Sequence, residues 1–168
     1  MREKQIFINE LPVNYKISGK GPAILILHGW GGSSDSWLNV QEILAKNGYL
    51  VVVPDFPGFG KSKTPLVPWG IKEYTDFILN FVNQLKIDQF FLLGHSFGGR
   101  IAIRFVTLYP EKVKKLILSN SAGIKATPDL KTYIIFILAR IGNALFTPKI
   151  LARFKDSARN LFYIFLRH

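Results

Sequence analysis

Phe90-Phe91-Leu92-Leu93-Gly94-His95-Ser96-Phe97-Gly98-Gly99 decides the fold. Phe90–Leu93 is a short, unbroken apolar run, which suits a strand covered on both faces. Arg100–Tyr109 follows at helical spacing and is closed by Pro110. Between them stands G-x-S-x-G, a motif that carries meaning only where a strand turns directly into a helix. A hydroxyl raised clear of a sheet edge needs a very tight corner with strained backbone at Ser96. Neighbours without Cβ atoms let the helix close against the strand. The helix N-terminus contributes partial positive charge there, which favours an oxyanion. Ser96 is therefore the candidate nucleophile and the Phe97 backbone N–H a candidate oxyanion donor. The alternative is a glycine-rich turn whose serine merely caps the helix.

Working outward, the rhythm of strand and helix continues on both sides. Ala23–Leu27 (AILIL) is a second buried run, Leu50–Val53 (LVVV) a third, stopped by Pro54, and Val113–Ser119 a fourth. Trp37, Val40, Ile43 and Leu44 step at helical spacing, as do Ile71, Tyr74, Phe77, Ile78, Phe81, Val82 and Leu85. Gln5–Ile8 and Val13–Ile17 predict an antiparallel pair around a turn at Pro12. Together these give an α/β fold: a mostly parallel sheet with its first strands antiparallel and helices on both faces. His28-Gly29-Trp30-Gly31-Gly32 follows the Ala23–Leu27 strand directly. Such a glycine-rich loop brings backbone N–H groups close to a ligand without any side chain, and the Trp30 N–H is the candidate for the second oxyanion donor. His28, Gly29, Gly31 and His95 read as supports of this loop and corner. Bracing by hydrogen bonds is the favoured role for His28, over that of a catalytic base.

The loop at His28–Gly32, Asp55-Phe56-Pro57-Gly58-Phe59-Gly60-Lys61-Ser62, and Gly94–Gly99 occur in the order and spacing of the α/β-hydrolase superfamily. The chain resembles its esterase, haloperoxidase-like and meta-cleavage-product hydrolase branch. By this resemblance residues 1–125 are the N-terminal portion of the hydrolase core and 126–168 part of a helical cap. The resemblance makes Ser96 the nucleophile and Trp30 and Phe97 the oxyanion residues. Epoxide hydrolases and dehalogenases of the superfamily carry an aspartate at the elbow, so Ser96 argues against both. Leu130–Leu145 and Ile150–Leu166 read as two apolar-faced helices of the cap.

A serine nucleophile needs a base, and the base an orienting acid. After Ser96 the carboxylates are Glu111, Asp129 and Asp156, and the histidine is His168, the last residue. Asp129 or Asp156 with His168 completes the superfamily order formally, yet triad partners belong on loops beyond sheet strands, and no strand is expected after Ser119. The expectation is a chain that stops inside the cap, its triad acid and histidine missing and its activity crippled. The primary functional reading is a serine hydrolase acting on a small apolar ester-type substrate through an acyl-enzyme on Ser96. The rival is a non-catalytic protein of the same fold that binds a ligand or partner.

Phosphate-binding motifs fail on inspection. Gly60-Lys61-Ser62 resembles the tail of a P-loop, but the required first glycine falls on Asp55. Asp55 is expected to order its turn rather than bind a metal. No metal and no organic cofactor is implied. The absence of cysteine excludes disulfides, thiolate metal sites and a thiol nucleophile. A net charge of +11 on 168 residues invites nucleic-acid or membrane readings. The basic residues form no compact run and no nucleic-acid motif, so nucleic acid is not expected, and contact with a membrane surface is a subordinate expectation. An exposed Val113–Ser119 edge would open a route to a homodimer. With no secretory signal in the opening MREKQIFINE, the expected location is cytoplasmic.

Overall fold

The computed structural model describes residues 1–123, together with Ile137. The chain divides into two units, Met1–Ile124 and Lys125–His168; the two cap helices expected at Leu130–Leu145 and Ile150–Leu166 lie outside the described residues.

Six strands form one sheet: β1 Arg2–Ile8, β2 Leu11–Ser18, β3 Ala23–Leu27, β4 Leu50–Pro54, β5 Phe90–His95 and β6 Val113–Ser119. Their spatial order is β1-β2-β4-β3-β5-β6. β1, β2 and β4 pair antiparallel in succession, whereas β3 lies parallel to β4 and β5, and β5 parallel to β6. Three helices connect the parallel strands: α1 Leu38–Lys46, α2 Ile71–Gln84 and α3 Phe97–Leu108.

Alternation along the strands explains why β3 and β4 read as continuous apolar runs. Leu25, Leu27 and Val52 point to one side, into a core completed by Phe77, Ile78 and Phe81 of α2 and Ile101, Ala102 and Phe105 of α3. Ile24, Ile26, Val51 and Val53 point to the other, against Trp37, Leu44, Ala45 and Tyr49 around α1. Both faces are thus covered, as a parallel sheet requires.

Three local expectations are corrected. The hairpin turn falls at Asn9-Glu10 rather than Pro12, both residues taking positive φ (47° and 65°), as a two-residue hairpin turn demands. Pro12 instead lies within β2, opposite Phe7. That pair neighbours the closing pair Ile8↔Leu11, so in the antiparallel alternation it exchanges no backbone bonds, and a missing N–H costs β1 nothing. β4 pairs with β2 only from Tyr15 to Ser18, so Pro12 interrupts no ladder there either. At the other correction, α3 begins at Phe97 rather than Arg100 and takes Gly98 and Gly99 into its first turn. In the third, β1 starts at Arg2, and its early residues are exposed, which hid it from an apolar-pattern reading.

Candidate active site

β5 ends at His95 and α3 starts at Phe97, so Ser96 alone makes the corner. Its backbone sits at φ 49°, ψ −114°. This is the mirror of an ordinary extended turn conformation, costly for a residue with a Cβ. Three glycines enforce it by close approach. A Cβ on Gly94 would lie 2.6 Å from Gly99 Cα, one on Gly98 would lie 2.3 Å from the Leu27 carbonyl oxygen, and one on Gly99 2.3 Å from Ser121 Oγ. Hydrogen bonds hold the corner as well. The Ser96 N–H donates to Ser119 O (3.2 Å), and the Ser96 carbonyl accepts from Arg100 N–H (3.2 Å) and Ala122 N–H (3.0 Å). The side chain is left half-buried with its hydroxyl bonded to none of the described residues.

The loop after β3 lies directly against this corner. An atom built as Cβ on Gly29 would sit 3.3 Å from Ser96 Cβ and 3.3 Å from His95 Cδ2. Trp30 is 68% exposed, and its ring meets Phe97 edge to face at 5.1 Å and Phe59 at 4.8 Å. Trp30 and Phe97, the two proposed oxyanion residues, are therefore neighbours across the corner. The backbone N–H groups of Trp30 and Phe97 donate to no acceptor among the described residues. Phe97 opens α3, where N–H groups have no intrahelical partner.

His28 is buried to 1% exposure beneath that loop. The Phe56 N–H donates to its Nε2 at 2.9 Å, and its Nδ1 lies 2.8 Å from the Gly29 carbonyl. An Nε2 that accepts requires the proton on Nδ1, in a neutral ring. Burial pushes its pKa below the ordinary histidine value, against the opposing pull of the Gly29 carbonyl and the Asp55 carboxylate. Both nitrogens are occupied, so His28 cannot take a proton from Ser96. His95 is also engaged, its Nδ1 3.0 Å from Ser119 O. Glu111 precedes β6 whereas Ser96 follows β5, and the two strands are parallel. It therefore stands at the far end of a seven-residue strand, about 20 Å away at strand rise, and is no partner for Ser96. Asp129, Asp156 and His168 lie outside the described residues.

A support that the motif reading did not resolve is the buried polar cluster at Asp55. Its carboxylate accepts from Ser34 N–H (2.6 Å), Lys61 N–H (2.9 Å) and Asn14 Nδ2 (2.9 Å). Burial raises its pKa, but these donors outweigh burial and hold it below the ordinary value. Ser62 Oγ adds a bond to the Asp55 carbonyl at 2.7 Å. The sequence signal was present in the spacing of Asp55, Gly60 and Ser62; its partners Asn14 and Ser34 are remote in the chain and unmarked by any motif. Among the described residues no group of three or more histidine or acidic side chains could hold a metal. A cleft of about 590 Å³ between the Asn9-Glu10 turn, residues 63–69 and α2 contains no residue of the Ser96 corner.

The fold and this corner agree with what the chain resembles. The alpha/beta hydrolase fold family model matches residues 22–154, and the chain belongs to that family. It is 34% identical over 125 residues to 2-hydroxymuconate semialdehyde hydrolase of Pseudomonas sp., covering 72% of this chain and 44% of the relative. It is 31% identical over 128 residues to Epoxide hydrolase 2 of Siraitia grosvenorii, covering 75% and 40%. Among solved structures, a bacterial membrane phospholipase A superposes with a TM-score of 0.73 at 30% identity, over 76% of this chain and 42% of that one. The chain thus spans about two-fifths of the length of these relatives. No helix among the described residues is long and apolar enough to cross a membrane.

Proposed function

We propose that this chain carries the nucleophile and oxyanion half of a serine hydrolase that acts on a small apolar carboxylic ester. Ser96 Oγ attacks the carbonyl carbon, and its proton passes to a base that the described residues do not place at the corner. The carbonyl oxygen becomes an oxyanion facing the Trp30 and Phe97 N–H groups. Collapse expels the alcohol and leaves an acyl group on Ser96, which water then removes as the acid. The observation that carries this reading is the strained φ of 49° at Ser96, kept at the one position where a hydroxyl faces a glycine-rich loop. A serine that only capped its helix would need no such conformation; Ser96 makes no side-chain cap bond to α3.

The apolar preference rests on the rings of Trp30, Phe59 and Phe97, which form a continuous aromatic wall beside the hydroxyl. An alkyl or aryl group laid there gains burial of roughly 25 cal/mol per Å², and a charged group loses its hydration. The cap aromatics expected to add to this wall (Tyr133, Phe136, Phe146, Phe154, Phe162) lie outside the described residues. The test is hydrolysis of a chromogenic short-chain ester by the protein and by its Ser96→Ala variant. The expected outcome is loss of hydrolysis in the variant, and equal rates overturn the assignment.

A further inference from the structure

The Gly29 carbonyl accepts twice: from His28 Nδ1 at 2.8 Å and from the Gly32 N–H at 3.0 Å. That carbonyl shares a rigid plane with the Trp30 N–H, and in a trans peptide the two point in opposite directions; the chain has no cis peptide bond among its described residues. Fixing the oxygen therefore fixes the direction of the N–H. We infer that His28 is a positioning residue: by donating from Nδ1 to the Gly29 carbonyl it aims the Trp30 N–H at the oxyanion of Ser96 chemistry. The inference rests on the serine-hydrolase reading and adds to it the origin of one donor's orientation.

The arrangement extends one step further back. Nδ1 carries the proton only because the Phe56 N–H, the residue after the Asp55 hub, donates to Nε2 at 2.9 Å. Asp55 in turn holds the Ser34 and Lys61 N–H groups on either side of this contact. His28 is clamped between Phe56 and Phe59 rings at 4.8 Å and 5.9 Å, so the imidazole has no room to turn over. Two donors on one carbonyl also polarise the peptide, which strengthens its own N–H as a donor.

Two substitutions separate positioning from mere packing. Asn at 28 places an amide N–H where Nδ1 stands and loses the acceptor for Phe56. Gln at 28 places an acceptor where Nε2 stands and loses the donor to Gly29. Each deletes one hydrogen bond, so a purely structural role lowers the melting temperature of both and separates them in no other way. In the protein itself, nitrogen NMR of His28 at neutral pH is expected to show the neutral Nδ1–H tautomer. The Trp30 amide signal is expected to stay near its position in His28→Asn and to move in His28→Gln. Labelling of Ser96 by a fluorophosphonate is expected to slow about tenfold or more in His28→Gln and by no more than about threefold in His28→Asn, since loss of a whole oxyanion donor costs about 100- to 1,000-fold.

An Nε2–H or imidazolium form, or equal shifts of the Trp30 amide in the two variants, overturns the inference whatever Ser96 does. Equal slowing of labelling overturns it too. The expected tautomer and amide shifts with a Ser96 that never labels support the pinned peptide and overturn the nucleophile assignment instead.

Discussion

The Asn9-Glu10 turn and the Ser96 corner both place non-glycine residues at positive φ, and they do so for opposite reasons. At the hairpin, φ values of 47° and 65° satisfy the strand twist of a two-residue turn, and the turn lies at the surface. At the corner, φ 49° with ψ −114° gains nothing locally. It is imposed by Gly94, Gly98 and Gly99 packing against β3, α3 and Ser121. Strain at a turn is a property of the turn; strain at Ser96 is a property of the surrounding packing.

The comparison predicts how each region breaks. Gly98→Ala should have the largest effect. Alanine improves helix propensity by about 1 kcal/mol, but its Cβ would meet the Leu27 backbone oxygen at 2.3 Å. Neither backbone can yield, so a net loss of about 3 kcal/mol or more is expected in urea unfolding. Asp55→Ala should follow. It strands Ser34 N–H and Lys61 N–H with no acceptor, at about 2 to 3 kcal/mol.

Acid should expose the same dependence without mutation. Asp55 is held below its ordinary 3.8, so its contribution is present above that value and is lost as pH falls through it. His28 is held below its ordinary 6.5, so the unfolded chain takes a proton that the folded one refuses, and stability begins to fall as pH drops below that value. Denaturant midpoints across pH 3 to 7 should decline in both ranges, and His28→Asn should remove the upper decline.

Ser96→Gly should stabilise the protein by about 1 kcal/mol while abolishing labelling, because glycine adopts this backbone freely; Ser96→Ala should abolish labelling without the gain. A thermal melt separates the two. Glu10→Gly should give the smallest change, a gain of about 0.5 kcal/mol or less. A gain there equal to that of Ser96→Gly would erase the distinction between the two sites.

Much of this was legible in residue order. β3, β4, β5 and β6 announce themselves as apolar runs because both faces are covered. The corner is visible because only glycine tolerates its contacts. β1 was legible only in part, since Arg2–Lys4 are exposed at the sheet edge. The start of α3 was misplaced because Gly98 and Gly99, poor helix formers, are chosen for closeness to β3 and Ser121 rather than for propensity. The turn at Asn9-Glu10 was passed over for Pro12, whose missing N–H falls on a side of β2 that needs none. In the site, Ser96 and the loop at His28 could be read from spacing. The Asn14 and Ser34 contacts to Asp55 could not, because they join positions 41 and 21 residues apart. Nothing in either residue type announces such a partner.

The Ala122 N–H bond to the Ser96 carbonyl has a consequence for how such a protein can diversify. The chain leaves β6 and is moored beside the reactive hydroxyl at Ala122 before continuing. A segment exchanged after that mooring starts from the same place relative to the serine, whatever its composition. Lineages could thus trade the material that greets the substrate while the strands, the glycines and the two amides below are inherited unchanged.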